Sequence, residues 1–264
     1  MKISLITTTF NSSATVAETF NSVLAQTFQD IEYIVVDGAS KDNTLDIIKE
    51  YEPRFGGRMR WISEKDSGVY DAMNKGLRMV TGNVVGFLNS DDFYYDERVL
   101  EDVNKAMEDQ PVDCVYGDLK FVKADDTSSV VRIWRGSEYK KGAFRRGWHP
   151  APPTFYARRE CYEKLGVFNT NFPISADFDL MLRFIEKGKL RNRYIHRYFI
   201  MMRVGGESTG SLRNIIRGNI AIMRALRENG YHTSPLIVMR RMMRKVWDTM
   251  QGRLRLAHIV KVEE

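Results

Sequence analysis

The chain's 264 residues are 43% hydrophobic, 11% aromatic and 28% charged, enough apolar material for a packed core, yet no apolar run approaches the roughly 18 residues a bilayer-spanning helix requires. The net charge of +6 is unevenly spread: residues 1–110 hold 11 Lys and Arg against 19 Asp and Glu, and residues 111–264 hold 29 against 15. Only Cys114 and Cys161 are cysteines, so a zinc ligand set and a disulfide framework are both excluded.

Ile3–Thr8 opens as a β-rich run, and Asn11 and Ser12 behind it can cap a helix. Val16, Phe20, Val23 and Leu24 fall at helical spacing and predict a helix over 13–27. The second strand, IEYIVV over 31–36, ends in Asp37-Gly38-Ala39-Ser40, and Asp42-Asn43-Thr44 opens a helix through Tyr51. Met59–Ile62 predicts a short third strand running out near Asp66. Gly68–Val80 reads as a helix carrying Val69, Met73 and Leu77. The apolar run Val84–Leu88 is a buried strand that stops abruptly at Asn89-Ser90-Asp91-Asp92. Four alternations of strand and helix predict an α/β fold with a doubly wound, mainly parallel sheet.

Three of these strand ends place acids at one edge: Asp37, Asp66 and the Asp91-Asp92 pair. Ligands of open α/β sheets bind just outside the carboxyl ends of the strands. Adjacent carboxylates cannot enter a core unpaired. Either they sit in a solvated turn that caps the next helix, or they face a divalent cation that shares its oxygen ligands with a phosphate. Several acids on one rim favour the second reading. Like charges about 4 Å apart repel by roughly 4 kcal/mol at an effective dielectric near 20. A phosphate ligand there needs a cation, while some of the acids serve ribose and base. No GxGxxG follows the first strand and no GxxxxGK motif occurs, which argues against a dinucleotide oxidoreductase and a P-loop NTPase.

Beyond residue 96 the pattern changes. Glu97–Glu108 is an amphipathic helix. Val112–Val122 is strand-like with an interruption at Gly117-Asp118, and Val130–Trp134 is placed to pair antiparallel with it. Residues 135–149, rich in Gly, Arg and Lys, predict a mobile loop. Pro150, Pro152 and Pro153 predict an extended segment into Thr154-Phe155-Tyr156. Arg158–Leu165 is a short helix stopped by Gly166. Ile174–Asp179 leads into a helix ended by Gly188, where Asp177 is either a cap or a site acid. Tyr194–Met202 is a strand, residues 205–210 a Gly-rich flexible loop, and Leu212–Glu228 a helix.

From Pro235 to Val262, Ile237, Val238, Met242, Val246, Met250 and Leu254 trace a helical stripe. Arg240, Arg241, Arg244, Lys245, Arg253 and Arg255 surround it, with Trp247 placed for a lipid interface. That composition fits a helix lying on an anionic membrane surface; the alternative is a stripe packed on the main domain. The division expected is a domain over 1–210 and a basic, amphipathic helical extension over 211–264. The start of the chain lacks a signal-peptide h-region, so a cytoplasmic location is expected, peripheral on the inner face of the plasma membrane if the tail binds lipid.

Taken in order, ISLITTTFN, SVLAQTFQDIEYIVVDGASKDNT, SEKDSGVYDAMNKG, FLNSDD and ADFDLMLRF resemble the motifs of family 2 glycosyltransferases with the GT-A (nucleotide-diphospho-sugar transferase) fold. The resemblance spans about residues 2–205, and GVYDAMNKG is similar to enzymes of bacterial surface-polysaccharide assembly. It implies a nucleotide-sugar donor, with UDP-sugar favoured, and Mg²⁺ or Mn²⁺. It also implies inversion at the anomeric carbon and a saccharide or lipid-linked saccharide acceptor. By position, Thr8, Phe10 and Asp37 would hold the nucleoside, Asp66 would complete the base pocket and Lys75 would reach the diphosphate. Asp91 would meet the ribose or metal shell, and Asp92 would ligate the metal. Asp177 matches the catalytic base, with Asp179 as its fallback, and Trp148 and His149 fall on the acceptor side. Ser90-Asp91-Asp92 stands where many such enzymes carry Asp-x-Asp, and Ala176 where a Glu commonly precedes the base. The rival readings are a non-catalytic nucleotide-sugar binder and a nucleic-acid module, although no nucleic-acid reading motif occurs in the basic half and no nucleic acid is expected.

Overall fold

The structure is a computed structural model and describes residues 1–109, 111–205, 212–234 and 236–243. The expected loop over 206–210, and Arg244, Lys245, Val246, Trp247, Met250, Arg253, Leu254 and Arg255 of the expected tail, lie outside the described residues.

Strands β1 (Ile3–Thr9), β2 (Ile31–Asp37), β3 (Met59–Ser63) and β4 (Val84–Phe87) alternate with helices α1 (Val16–Leu24), α2 (Thr44–Tyr51) and α3 (Val69–Met79). The order β3-β2-β1-β4 is parallel throughout. Successive side chains on a strand point to opposite faces, and β1, β2 and β4 are covered on both faces whereas the edge strand β3 is largely open. Ile6, Val36, Val85 and Phe87 pack on one face with Met73 of α3, whereas Leu5, Val35 and Val84 pack on the other with Phe20 of α1 and Ile48 of α2. The register aligns Thr9 with Asp37 and Asp37 with Ser63, so the carboxyl ends of three strands finish level and deliver their loops to one rim.

The second half adds the antiparallel part. After β5 (Phe93–Tyr94) and α4 (Val99–Glu108) come β6 (Cys114–Val122), β7 (Val130–Trp134), β8 (Tyr156–Arg158) and β9 (Asn192–Arg203). The sheet continues β4-β8-β6-β9-β5, with β7 pairing antiparallel to β6. β8 is antiparallel to both of its neighbours, while β6 and β9 are parallel. The interruption expected at Gly117-Asp118 is a register shift against β9 between Tyr116 and Leu119. At Gly86 a Cβ would lie 2.1 Å from the Tyr156 ring, so the absence of a side chain there lets β8 close on β4.

Two expectations change. Pro152–Thr154 is a 3₁₀ turn rather than an extended segment, because Thr154 Oγ1 donates to Ala151 O and to Gly117 O and folds the chain back on β6. Residues 135–149 are not a free loop: Phe144 and Trp148 are buried among Tyr116, Tyr139 and Phe178. Behind them, α5 (Arg159–Leu165) and α6 (Ala176–Met181) pack on the sheet, and α6 continues as a π-helical turn over Leu182–Lys187. Helix α7 (Leu212–Glu228) buries Ile222, Ala225 and Leu226 in the same core. Residues 236–243 are helical and bury Ile237 there. Among the described residues no helix is long and apolar enough to cross a membrane.

Candidate functional site

The level strand ends line a cleft of about 1040 Å³ together with the start of α6 and with Gly218, Asn219, Ile222, Arg241 and Met242. Thr8, Phe10, Asp66, Asp91, Trp148, His149 and Asp177 all line it. Asp37, Lys75, Asp92 and Asp179 do not.

At the β1 end the Phe10 ring is 65% exposed, an aromatic face held out where the strand stops. A Cβ on Gly38 would sit 2.5 Å from Asp66 Oδ2 and 3.3 Å from the Phe10 ring. That missing side chain lets Asp66 and Phe10 approach from opposite sides. Asp66 Oδ1 accepts the Gly68 N–H at 2.8 Å, which fixes the carboxyl at the entrance to α3. An aromatic face beside a carboxylate suits a planar base with hydrogen-bond donors on its edge.

Asp37 sits beneath this pocket and has no exposed surface. Its carboxylate accepts from Thr9 Oγ1 at 2.9 Å, Ser40 N at 2.9 Å, Ser40 Oγ at 2.5 Å and Ser63 Oγ at 2.7 Å. Four donors saturate it. It ties the ends of β1, β2 and β3 together and does not line the cleft, where direct contact with a nucleoside was expected.

The Asp91-Asp92 pair divides sharply. Asp91 lines the cleft and is half-buried; burial holds its carboxyl above the usual range, and Arg203 opposes that rise. Asp92 turns inward and is fully buried. Its Oδ2 accepts from Asn89 Nδ2 at 2.9 Å, and its main-chain oxygen accepts from Thr19 Oγ1 at 2.7 Å. Its Oδ1 is buried without a hydrogen-bond partner. Burial, followed by the charge on Asp91, pushes Asp92 well above the usual carboxylate range. Neighbouring residues of an irregular turn point opposite ways, so Asp91 takes the cleft position expected of Asp92. A cation fits the cleft-facing carboxyl of Asp91, a hard oxygen donor, whereas the buried carboxyl of Asp92 does not reach the cleft. Among the described residues no three His, Cys, Asp or Glu converge, so a cation held by Asp91 would draw its other ligands from a bound diphosphate and water.

Lys75 is also diverted. Its ammonium pairs with Glu64 at 2.9 Å and donates to Lys65 O at 2.7 Å, which latches α3 to the loop carrying Asp66. Asp179, 3% exposed, accepts from Arg183 Nε at 2.9 Å and Asn229 Nδ2 at 2.8 Å. It locks α6 to the end of α7 and faces away from the acceptor side.

Asp177 lines the same cleft from the first turn of α6. The turn follows Ser175, whose φ of 69° places a non-glycine residue in the left-handed region, a costly conformation that clusters at functional sites. Asp177 Oδ1 accepts the Phe178 N–H at 2.7 Å. Burial raises its proton affinity; the bonds from Phe178 and Tyr70 and the charge of Arg241 pull the other way. His149 Nδ1 lies 2.7 Å from Pro150 O, a bond that requires the proton on Nδ1 because a carbonyl only accepts. The ring stands edge-on to Trp134 and Phe178 at 5.1 and 5.4 Å. The Trp148 indole N–H is buried with no hydrogen-bond partner. Tyr70, Asn89, Ser90 and Arg241 also line the cleft without having been expected there. Tyr70 lies inside GVYDAMNKG, and Asn89-Ser90 directly precede the acid pair.

A family model described as "Glycosyl transferase family 2" matches residues 4–174. A "PGL/p-HBAD biosynthesis glycosyltransferase" of Mycobacterium bovis is 35% identical over 196 residues, covering 73% of each chain, and one of Mycobacterium tuberculosis matches equally. Among solved structures, a mannosyltransferase from Pyrobaculum calidifontis in complex with GDP-Man and Mn²⁺ superposes with a TM-score of 0.65 at 19% identity, over 98% of this chain and 75% of that one. Staphylococcus aureus TarS 1-349 in complex with UDP-GlcNAc gives 0.64 at 18% identity, over 92% and 72%. At those identities the likeness establishes the fold, which is GT-A.

Proposed function

The chain belongs to glycosyl transferase family 2 and is a glycosyltransferase, and from that premise we propose that it transfers a sugar from a nucleoside-diphosphate donor to an acceptor hydroxyl with inversion. The observation that supports this reading is that Phe10, Asp66, Asp91 and Asp177 line one cleft, with burial raising the proton affinity of Asp177. Phe10 stacks on the base, Asp66 accepts from its edge, and Thr8, Asn89 and Ser90 border the ribose. Asp91 holds Mg²⁺ or Mn²⁺; when bound, the ion offsets charge on the departing diphosphate as a Lewis acid. Asp177 takes the proton from the acceptor hydroxyl, whose oxygen attacks the anomeric carbon from the face opposite the diphosphate. Positioned bases of this kind contribute typically 10²–10⁴-fold.

UDP-sugar is the favoured donor, and structurally similar proteins have been crystallised with UDP-GlcNAc or with GDP-Man and Mn²⁺. A panel of nucleotide-sugars with and without Mn²⁺, read by thermal shift and then by transfer to a saccharide, tests the reading. A donor that raises Tm only with metal and is turned over supports it. No shift and no turnover with any donor refutes it, and binding without transfer would reinstate the non-catalytic alternative.

The acceptor is a saccharide, lipid-linked where the basic half meets an anionic bilayer. Ile216, Ile220, Leu236, Met239 and Met243 are exposed on the two helices that bring Gly218, Asn219, Arg241 and Met242 to the cleft, with exposed Arg217 and Arg240 beside them in the chain. Apolar side chains among arginines complement an anionic headgroup layer. Co-sedimentation with phosphatidylserine vesicles, lost in Ile220→Asp/Met239→Asp, is the expected result. Equal binding by that double variant would overturn it, and a dimer abolished by the same changes would give the patch to a second copy.

A further inference from the structure

The β6–β7 hairpin and the end of β9 present a sheet face to the cleft, apart from the residues assigned to the donor. Register decides which side chains share that face. Trp134 and Arg132 of β7 pair with Leu119 and Phe121 of β6, and Met202 of β9 pairs with Phe121. Directly paired residues of neighbouring strands point to the same face of a sheet, and all five of these line the cleft. Lys120 alternates to the other face, where its ammonium lies over the rings of Tyr95 and Tyr198.

Contacts tie this face to both carboxylates of the proposed reaction. Met202 is followed by Arg203, whose guanidinium donates to the main-chain oxygen of Asp91. Trp134 stands at 80° to the His149 ring with centroids 5.1 Å apart, and His149 stands at 88° to Phe178 at 5.4 Å. The Phe178 N–H in turn bonds to Asp177. The indole is therefore one imidazole away from the residue that holds the base. That imidazole is itself fixed, since its Nδ1 bonds to Pro150 O at 2.7 Å.

The rings of this wall are not equally available. Phe121 is buried and carries the Arg132 guanidinium 3.7 Å above it, whereas Trp134 is only half-buried. A pyranose has one apolar face of C–H bonds and a rim of hydroxyls. An indole with surface left in a cleft suits the face, and a few polar groups beside it suit the rim, the usual make-up of a ligand pocket. An alkyl chain laid there would desolvate Arg132 and His149 without giving them a partner.

We propose that Trp134 is the acceptor platform: the saccharide ring bearing the reacting hydroxyl stacks on its indole, with Arg132 and His149 at the hydroxyl rim. This rests on the transfer reading, with Asp177 as the base.

The test compares wild type, Trp134→Phe and Trp134→Leu in the full chain, with the donor found by the panel above. The acceptors are methyl and octyl glycosides of glucose, galactose, mannose, N-acetylglucosamine and rhamnose. Both replacements leave an apolar side chain on the sheet, and only phenylalanine keeps a ring face. With the best methyl glycoside, Trp134→Leu should raise the acceptor KM about tenfold or more while kcat and donor KM stay within about threefold, the signature of lost uniform binding. Trp134→Phe should keep the acceptor KM within about threefold of wild type, and the octyl glycoside should follow the methyl one. An unchanged methyl-glycoside KM in Trp134→Leu overturns the proposal. So does a loss confined to the octyl glycoside, which would give the indole to an alkyl chain, and so does an equal rise in both variants, which would make Trp134 a packing residue. Independently of folding in the variants, the methyl glycoside should slow oxidation of Trp134 by N-bromosuccinimide in wild type, read by peptide mass, and no slowing overturns the platform. A donor that is bound and hydrolysed while no glycoside is used or bound overturns the platform and leaves the donor reading standing. No donor binding at all removes that reading and the platform with it.

Discussion

Replacing Asp177 by Asn separates catalysis from stability. Asparagine keeps the size of the side chain and can still accept from Phe178 N and Tyr70, but it cannot take a proton. Loss of a base worth 10²–10⁴-fold equals about 2.7–5.4 kcal/mol of transition-state stabilisation. Turnover should therefore fall by that factor while donor affinity holds, because Asp177 lies on α6 and the base pocket at Phe10 and Asp66 lies at the ends of β1 and β3. Stability should move the other way. Burial raises the carboxyl's proton affinity in the folded protein, so its folded pKa lies above its unfolded one. A group of that kind binds more protons folded than unfolded between the two values, and wild type loses stability as pH rises through the folded value. Asp177→Asn escapes that loss. Each tenfold change in proton affinity is about 1.4 kcal/mol, or roughly 3–6 °C in Tm for a domain of this size. The variant should thus melt at or above wild type at pH 8, with the gain vanishing near pH 4. Sugar-transfer kinetics and calorimetric melts over that range are the assay. Turnover within threefold of wild type, or a Tm several degrees lower at pH 8, would refute the reasoning.

Asp91→Ala should abolish the increment in donor thermal shift that Mn²⁺ provides, and an unchanged increment would remove Asp91 from the cation site. Asp92→Asn should keep or raise the Tm of metal-free protein, because it removes a buried carboxyl whose Oδ1 has no partner; a marked fall would show that carboxylate to be stabilising. Asp37→Ala should lower stability by about 2–4 kcal/mol, since four buried hydrogen bonds lose their common acceptor, and a chemical-denaturation curve displaced by less than 1 kcal/mol would contradict the role assigned to it.

The alternation of strands and helices, and the level rim it produces, were legible in the chain alone. Period-2 and period-3.6 spacing of apolar residues are local properties, and a buried parallel strand such as Val84–Phe87 advertises itself by apolar residues on both faces. A family-like order of short motifs also marks the cleft-lining positions Thr8, Phe10 and Asp66, because loops at strand ends carry chemistry wherever the sheet places them. Which of two adjacent acids meets the cleft is decided by the turn around Asn89, and no spacing rule distinguishes Asp91 from Asp92. The fates of Asp37, Lys75 and Asp179 depend on partners 11 to 50 residues away: Ser63, Glu64 and Asn229. Charged residues look alike in sequence whether they greet a ligand or satisfy a neighbour. The difference is a matter of hydrogen-bond valence, and that is settled only when distant segments are packed together.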